Sequence, residues 1–138
     1  MPSATVQWVA GKQFVGMDSN QHAVVLSGED HPNGLRPSEM LLVALGSCTA
    51  VDVVEILAKK RMVLTSLEIT VTGERDPEPP WPYRAIHVHY RLGGSGLTRK
   101  GVAQAVTLSE EKYCSVAATV RGVAKITNDF EIVTPEDA

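Results

Sequence analysis

The segment that most constrains the fold begins at Pro37, is strongly apolar, and contains no further proline up to Arg61. Proline suits the first turn of a helix, and the serine and glutamate that follow it suit the positive end of the helix dipole. Residues 40–48 are apolar around the whole helical circumference, whereas residues 51–60 return to an amphipathic pattern. We therefore expect one helix of about six turns, enclosed on most sides in its first half.

Short extended segments flank this helix in the sequence. Residues 4–10, 13–17 and 22–27 are separated by turn-forming residues and predict a three-stranded meander. Residues 67–73 and 85–92 alternate with period two and are joined by a proline-rich segment, which predicts a long hairpin. Both patterns indicate mainly antiparallel sheet.

Two further helices and a strand are expected in the last third of the chain. Thr98 is a candidate cap for one helix, and Ser109 for a second helix that holds Cys114 and ends near Gly122. Residues 125–133 predict a final strand. This order of elements, with hairpins and no strict alternation of strand and helix, predicts the α+β class.

Length and charge narrow the function classes. The chain of 138 residues can bury a core without metal or disulfide staples, so we expect a single domain over residues 1–138. The formal net charge of −3 gives no electrostatic reason to expect nucleic acid or an anionic membrane as a partner. The first residues show no signal-peptide pattern, and no run reaches about 18 uncharged apolar residues. We therefore expect a cytoplasmic protein that does not bind nucleic acid or a membrane.

The chain has two cysteines, and in a reducing cytosol such residues are buried and inert, bound to metal, or redox-active. Cys48 lies where the apolar half of the long helix gives way to Thr49, Asp52 and Glu55, so a thiol there can be reached from solvent. The two carboxylates would raise the pKa of this thiol, so a nearby cation would have to offset them. The alternative is that Cys48 only fills the core, because cysteine is among the most buried residue types.

The second cysteine, Cys114, is expected one turn into its helix, where the positive end of the dipole favours a thiolate. Glu110 and Glu111 oppose that effect, and Arg121 shares the helical face of the cysteine. The alternative is a small apolar residue that packs in the core. No C-x-x-C motif is present, which excludes a thioredoxin-type site and a zinc knuckle, so any contact between the two thiols must come from tertiary folding.

His87 and His89 point to the same face of one predicted strand, as metal-binding His-x-His pairs do. The next acidic or histidine ligand is far along the chain, so a half-exposed polar strand face is the favoured interpretation. We expect neither a metal site nor a bound cofactor. The sequence contains no G-x-S-x-G elbow or paired-carboxylate motif, and it therefore offers no support for a hydrolase.

Two segments resemble those of a known family. Residues 37–54, PSEMLLVALGSCTAVDVV, resemble the central-helix signature of the OsmC/Ohr family, the osmotically induced and organic hydroperoxide resistance proteins. Residues 110–116, EEKYCSV, resemble the segment that carries the second cysteine of that family. The length, the order of elements and the early strand pair around residues 8–14 extend the resemblance over essentially the whole chain.

The resemblance implies an α+β homodimer whose protomers interlock, with long central helices buried between the sheets and each active site at the subunit interface. It implies that an organic or inorganic hydroperoxide oxidises the first cysteine, here Cys48, to a sulfenic acid. The second cysteine, here Cys114, then condenses with it to a disulfide. A dithiol reductant resets the pair, and in the best understood branch of the family that reductant is a protein-bound lipoyl group.

Three residues near the start of the long helix are candidate supports for this chemistry. Family peroxidases carry a glutamate ten residues before the reactive cysteine, where this chain has Ser38, and Glu39 would lie about 180° from Cys48 on an ideal helix. They also carry an activating arginine on the early strands, for which Arg36 is the candidate replacement and Lys12 the other basic residue. The chain thus resembles the less characterised branch of the family, and a non-enzymatic dimer that binds a small molecule or senses oxidants is the alternative to a peroxidase.

Overall fold

The computed structural model describes residues 1–28 and 33–134. The chain divides into two compact units, an N-terminal unit of Met1–Leu41 and a C-terminal unit of Leu42–Ala138, which are described separately. The long helix α1, Pro37–Lys59, begins in the first unit and continues in the second.

A three-stranded antiparallel sheet in the order β1-β2-β3 forms most of the N-terminal unit. Its strands are β1 Ala4–Ala10, β2 Gln13–Asp18 and β3 Ala23–Ser27, which confirms the predicted meander. The turn between β1 and β2 places Gly11 at a φ of 54°, a conformation that glycine adopts without steric cost. The indole N–H of Trp8 donates to the Gly11 carbonyl oxygen at 2.7 Å and fixes this turn.

The helix α1 starts at Pro37, as predicted, and is uninterrupted. Its buried residues form a single stripe at helical spacing: Leu45, Gly46, Thr49, Val53 and Leu57. Large hydrophobic side chains on its other faces are exposed: Leu41, Val43, Val51 and Val54. Within one chain the helix is therefore buried along one stripe, and the described residues of this chain do not supply the all-round enclosure expected for its first half.

A second three-stranded sheet, in the order β4-β5-β6, forms the base of the C-terminal unit. β4 Val63–Arg75 and β5 Tyr83–Ser95 make the predicted antiparallel hairpin, longer at both ends than the sequence pattern indicated. β6 Lys125–Val133 pairs with β5 in parallel. Three of the four strand pairings are antiparallel, as expected, and the parallel pair is an addition that hydrophobic alternation does not predict.

The connection between β5 and β6 is helical, as crossovers between parallel strands usually are. α2 spans Arg99–Leu108, and the predicted Thr98 cap is confirmed because its side-chain oxygen accepts from the Gly101 N–H at 3.0 Å. A π-helical turn, Ser109–Tyr113, follows, and then the short helix α3, Ser115–Val120.

The core of the C-terminal unit lies between the sheet and the helices. Alternate residues of β5 point inward, and Ile86, Val88, Tyr90 and Leu92 are at most 1% exposed. They belong to one cluster with the buried stripe of α1 and with Val102, Ala105 and Val106 of α2. Each buried aliphatic side chain stabilises the fold by about 1.5–3 kcal/mol. Tyr90 is the polar member of this inward row.

By length and composition α1 could also cross a membrane, since its mean hydropathy is 2.0 over an 18-residue window. Core helices of soluble proteins meet the same criterion, and the buried stripe of α1 packs into the protein core. The criterion alone is therefore weak evidence for a membrane span.

Candidate active site

The two cysteines occupy different environments within the C-terminal unit. Cys48 lies on α1, is partly exposed, and packs against the edge of the core. Cys114 is 2% exposed and belongs to the core itself. Both thiols are free. Cys114 is therefore as buried as the alternative interpretation, a small residue packed in the core, would require. Cys48, in contrast, can be reached from solvent.

The position of Cys114 differs from the expected one. The sequence placed it one turn inside a helix capped by Ser109, but the structure places it at the N-cap of α3 with an extended backbone conformation. The prediction was wrong because the preceding residues form the π-helical turn, which ends at Tyr113. At the N-cap, the sulfur accepts a hydrogen bond from the Ala117 N–H at 3.3 Å.

Folding brings the two thiols together. The Cys114 thiol lies close enough to Cys48 for the two side chains to hydrogen-bond, although they are far apart in the sequence. Burial raises the pKa of the Cys114 thiol to about 11, and the neighbouring Cys48 adds to the rise. The N–H groups of Ala117 and Val116 act in the opposite direction but do not offset burial. Cys114 is therefore a protonated thiol at neutral pH, contrary to the thiolate that the helix dipole alone would favour.

A polar cluster, buried except at Asn128, lies beside this thiol pair, and sequence reasoning missed it. We call it the Tyr90 cluster, and its members are Tyr90, Glu110, Thr49 and Asn128. The Tyr90 hydroxyl donates to a carboxylate oxygen of Glu110 at 2.5 Å and also hydrogen-bonds to Thr49. Asn128 donates to the other carboxylate oxygen of Glu110 at 3.3 Å. The alternation of inward and outward residues along β5 could have identified Tyr90 as a buried residue. Nothing in the sequence around Glu110 indicates that it is buried.

Two contacts hold the π-helical turn in place. The Ser109 hydroxyl is fully buried and donates to the Thr49 carbonyl oxygen of α1 at 3.0 Å. The guanidinium of Arg121 donates to the carbonyl oxygen of Glu110. The N–H of Cys114 donates to the Ser109 carbonyl oxygen at 2.7 Å, which closes the turn on the cysteine. Ser109 and Arg121 therefore help to position Cys114. The predicted role of Ser109 as the N-terminal cap of the helix that holds Cys114 is wrong, because Ser109 ends α2 and begins the π-helical turn.

Burial also governs the charge of Glu110. Glu110 is only 6% exposed, and this burial raises the pKa of its carboxyl group. Hydrogen bonds from Tyr90 and Asn128 and the charge of Arg121 lower it in part. For Tyr90, burial and the bond to Glu110 raise the pKa well above its usual range, so the phenol keeps its proton. The sequence showed Glu110 only as a charge close to Cys114.

Two openings flank the cysteine region. A groove of about 480 Å³ lies between the second half of α1 and the π-helical turn, and its lining includes Asp52, Ile56, Lys60 and Tyr113. A smaller cleft of about 160 Å³ has the Glu110 side of the cluster in its wall. Both openings combine apolar and charged groups, and the apolar lining of the smaller one is Ala117 and Ile126.

The other candidate supports belong to the N-terminal unit. Arg36 and Glu39 are exposed, and Ser38 is partly buried in the first turn of α1. The Arg36 carbonyl oxygen accepts from the N–H groups of Glu39 and Met40, so Arg36 takes part in starting the helix. The roles of Arg36, Ser38 and Glu39 in chemistry stay predictions.

His87 and His89 lie on the outward face of β5, as predicted. His87 Nε2 and His89 Nδ1 are both 2.8 Å from the same carboxylate oxygen of Asp129, and His87 also bonds to Thr127 at 2.7 Å. The sequence missed Asp129 as a neighbour because the parallel β5–β6 register sets His89 opposite it. Among residues 1–28 and 33–134, no group of three or more His, Cys, Asp or Glu residues has an arrangement that could hold a metal ion.

Comparison with known proteins adds evidence over nearly the full chain. The family model described as OsmC-like protein matches residues 28–128. Protein YhfA of Escherichia coli strain K12 is 39% identical over 130 residues, which cover 94% of this chain and 97% of that protein. A hypothetical protein from Aquifex aeolicus VF5 has a crystal structure with a TM-score of 0.86 and 32% identity, covering 97% of each chain. The organic hydroperoxide resistance protein OhrB of Bacillus subtilis has the same fold at 13% identity, with a TM-score of 0.64 and coverage of 95% of this chain and 98% of that chain.

Proposed function

Since this chain belongs to the OsmC-like protein family, we propose that it is a thiol-dependent hydroperoxide reductase in which Cys48 and Cys114 form the redox pair. The observation that carries the proposal is the adjacency of one partly exposed and one buried thiol. The fold shared with organic hydroperoxide resistance proteins supports the substrate class.

In the first step, the Cys48 sulfur attacks the outer oxygen of the hydroperoxide and the O–O bond breaks. Cys48 becomes a sulfenic acid, and the rest of the peroxide leaves as an alcohol that takes up the thiol proton. Cys48 is suited to this role because it is the more exposed thiol, and the protonated Cys114 can donate a hydrogen bond to it.

In the second step, the Cys114 sulfur attacks the oxidised Cys48 sulfur. The S–O bond breaks, water leaves, and a disulfide forms. An external dithiol, such as a protein-bound lipoyl group, then reduces this disulfide and is itself oxidised. Arg36 remains the candidate cation for activating Cys48, with Ser38 and Glu39 as the other candidate supports.

The exposed hydrophobic side chains of α1 support a homodimer as the working form. Val51 is 65% exposed and Val43 47% exposed on a helix whose opposite stripe is buried. Exposed apolar patches of this kind mark interaction surfaces. We propose that a second copy covers them, that residues 1–138 act as one domain in that dimer, and that the protein works in the cytoplasm.

Turnover with cumene hydroperoxide and dihydrolipoamide tests the enzymatic proposal. We expect peroxide loss with the wild type and none with Cys48→Ser, because that variant lacks the attacking sulfur. In Cys114→Ser, the reaction should stop after oxidation of Cys48, because the second thiol is missing. Peptide mapping without reductant should find the Cys48–Cys114 disulfide in the wild type. Wild-type turnover equal to that of the variant lacking both cysteines would refute the proposal.

A non-enzymatic dimer that binds a small molecule or senses oxidants is the second candidate. The observations that favour it are Ser38 in place of the family glutamate and a groove of about 480 Å³ beside α1. This candidate predicts that the cysteine pair is oxidised once by peroxide but that added dithiols do not support repeated turnover.

A further inference from the structure

The buried carboxyl of Glu110 has no role in the steps described so far. Glutamate is almost never fully buried unless it is paired, and Glu110 is held by the buried Tyr90 hydroxyl and by the exposed Asn128 amide. Ionisable groups in such positions are candidates for acid–base chemistry. The place of Glu110 four residues before Cys114 makes the second cysteine the group that it would serve.

Cys114 needs a proton acceptor when its sulfur attacks Cys48. Its thiol is buried and protonated, so the proton must leave as the new S–S bond forms. The Tyr90 hydroxyl lies close enough to Cys114 for the two groups to interact electrostatically, and it donates its own proton to Glu110. Tyr90 and Glu110 are thus joined by a hydrogen bond, and Cys114 lies within electrostatic range of the Tyr90 end of this pair.

Other ionisable groups face this region, and they are less suited to accept the proton. Asp52 on α1 lines the larger groove and approaches the Ser109 hydroxyl at 3.4 Å. Glu111 in the π-helical turn is exposed. Arg121, beyond α3, is a cation that donates to the Glu110 carbonyl oxygen. Only Glu110 combines burial with a hydrogen bond to Tyr90 among the carboxylates that the structure describes here.

We propose that Glu110 is the proton acceptor of the resolving step and that Tyr90 links it to Cys114. As the Cys114 sulfur attacks Cys48, the thiol proton passes to the Tyr90 oxygen and the Tyr90 proton passes to the Glu110 carboxylate. The oxygen leaves Cys48 as hydroxide and is converted to water by the solvent, and the proton that Glu110 releases afterwards completes the balance, so the net products are the disulfide and one water. Glu110 then releases its proton into the open cleft of about 160 Å³, which it borders together with Asn128.

This inference rests on the proposed function, and single-turnover measurements separate the two. Reduced protein receives one equivalent of cumene hydroperoxide between pH 5 and 9, and mass spectrometry follows the dimedone-trapped sulfenic acid of Cys48 and the disulfide. In the wild type, disulfide formation should accelerate as pH rises through the pKa of Glu110. In Glu110→Gln and Tyr90→Phe, we expect it to be about 100-fold slower at neutral pH, with this pH dependence lost.

The matched control is Glu111→Gln, which removes the neighbouring exposed carboxylate. Disulfide formation should still accelerate with pH in this variant, with the rise displaced to lower pH, because the charge of Glu111 raises the pKa of Glu110. Oxidation of Cys48 should proceed at the wild-type rate in all three variants, which shows that they are folded. A wild-type pH profile of disulfide formation in Glu110→Gln overturns the inference.

Diamide provides a second arm that does not require peroxide reduction. It adds to one thiol, and attack by the other thiol releases the hydrazine and forms the same disulfide. If the wild type does not react with cumene hydroperoxide, the proposed function fails. Diamide then still tests whether Glu110 accepts the proton of Cys114. Equal diamide-driven disulfide rates in wild type and Glu110→Gln overturn the inference, and a slower variant supports it.

Discussion

Single residues of this protein differ in reactivity because of burial more than because of nearby charge. The N-cap position gives Cys114 two N–H donors that favour its thiolate, yet the pKa of its thiol is raised to about 11. Desolvation thus outweighs local hydrogen bonds at this site. Sequence reasoning identified both cysteines, but for Cys114 it could weigh only the helix dipole against Glu110 and Glu111, because the extent of burial depends on tertiary packing.

This difference predicts selective alkylation. At pH 8 only about one thousandth of Cys114 should be thiolate, and its side chain is 2% exposed. Iodoacetamide should therefore modify Cys48 well before Cys114 in the reduced native protein, as measured by peptide mass spectrometry over time. The same reaction in urea provides the control, since both thiols should then react at similar rates. Equal labelling in the native protein would contradict the assignment.

The His89–Asp129 pair predicts a pH-dependent contribution to stability. The hydrogen bond to Asp129 raises the pKa of His89, and His89 and His87 lower the pKa of Asp129. The stabilisation should be complete below the ordinary His pKa of about 6.5 and lost as pH rises through the raised pKa. At the acid end it should be lost as pH falls through the lowered pKa of Asp129.

Asp129→Asn tests this window by urea unfolding. The variant should lose about 0.5 kcal/mol of unfolding free energy at pH 5.5, since exposed ion pairs contribute little, and less at pH 9. Glu74→Gln, an exposed carboxylate on β4 at the other edge of the same sheet, is the control for charge removal. An equal loss at both pH values would mean that protonation of His89 is not the cause.

At the scale of elements, the π-helical turn sets the position of the second cysteine. The α1 helix, the meander and the hairpin follow from proline, turn residues and hydrophobic period, and the sequence predicts all three. The π-helical turn does not follow from local pattern, because its anchors are the Ser109 bond to α1 and the Arg121 bond to Glu110. These contacts exist only after the helices have packed.

Removal of one anchor tests the role of this turn. Ser109→Ala loses the buried hydrogen bond to the Thr49 carbonyl oxygen and should lower the unfolding free energy by about 1 kcal/mol. Disulfide formation between Cys48 and Cys114 should also slow, because Cys114 is less firmly held. Urea unfolding and diamide oxidation measure the two effects. Ser115→Ala, at an exposed position of α3, should change neither.

At the scale of the whole molecule, the strand order was predictable only in part. Hairpins are local and the sequence indicates them, but the parallel β5–β6 pair joins strands that α2, the π-helical turn and α3 separate. That pairing brings Asn128 to Glu110 and Asp129 to His89. The polar groups around the site were therefore missed for the same physical reason: their contacts depend on tertiary register.

The exposed apolar face of α1 predicts the assembly state. If a second copy covers this face, Val51→Glu should favour a monomer, because a carboxylate would be buried against apolar surface. Size-exclusion chromatography with light scattering should give about twice the chain mass of 14.9 kDa for the wild type and a mass near one chain for the variant. Ala58→Glu, on the exposed end of the same helix, should remain dimeric. A monomeric wild type would contradict the proposed dimer.

The late position of β6 in the chain has a consequence for protein synthesis. Both cysteines leave the ribosome before residues 125–133, so each newly made chain passes through a stage in which the strand beside β5 is still missing. Without full burial, the pKa of Cys114 should lie closer to that of an ordinary thiol, and its thiolate should be more abundant. The nascent chain would then be more vulnerable to thiol-reactive compounds at Cys114 than the finished protein is.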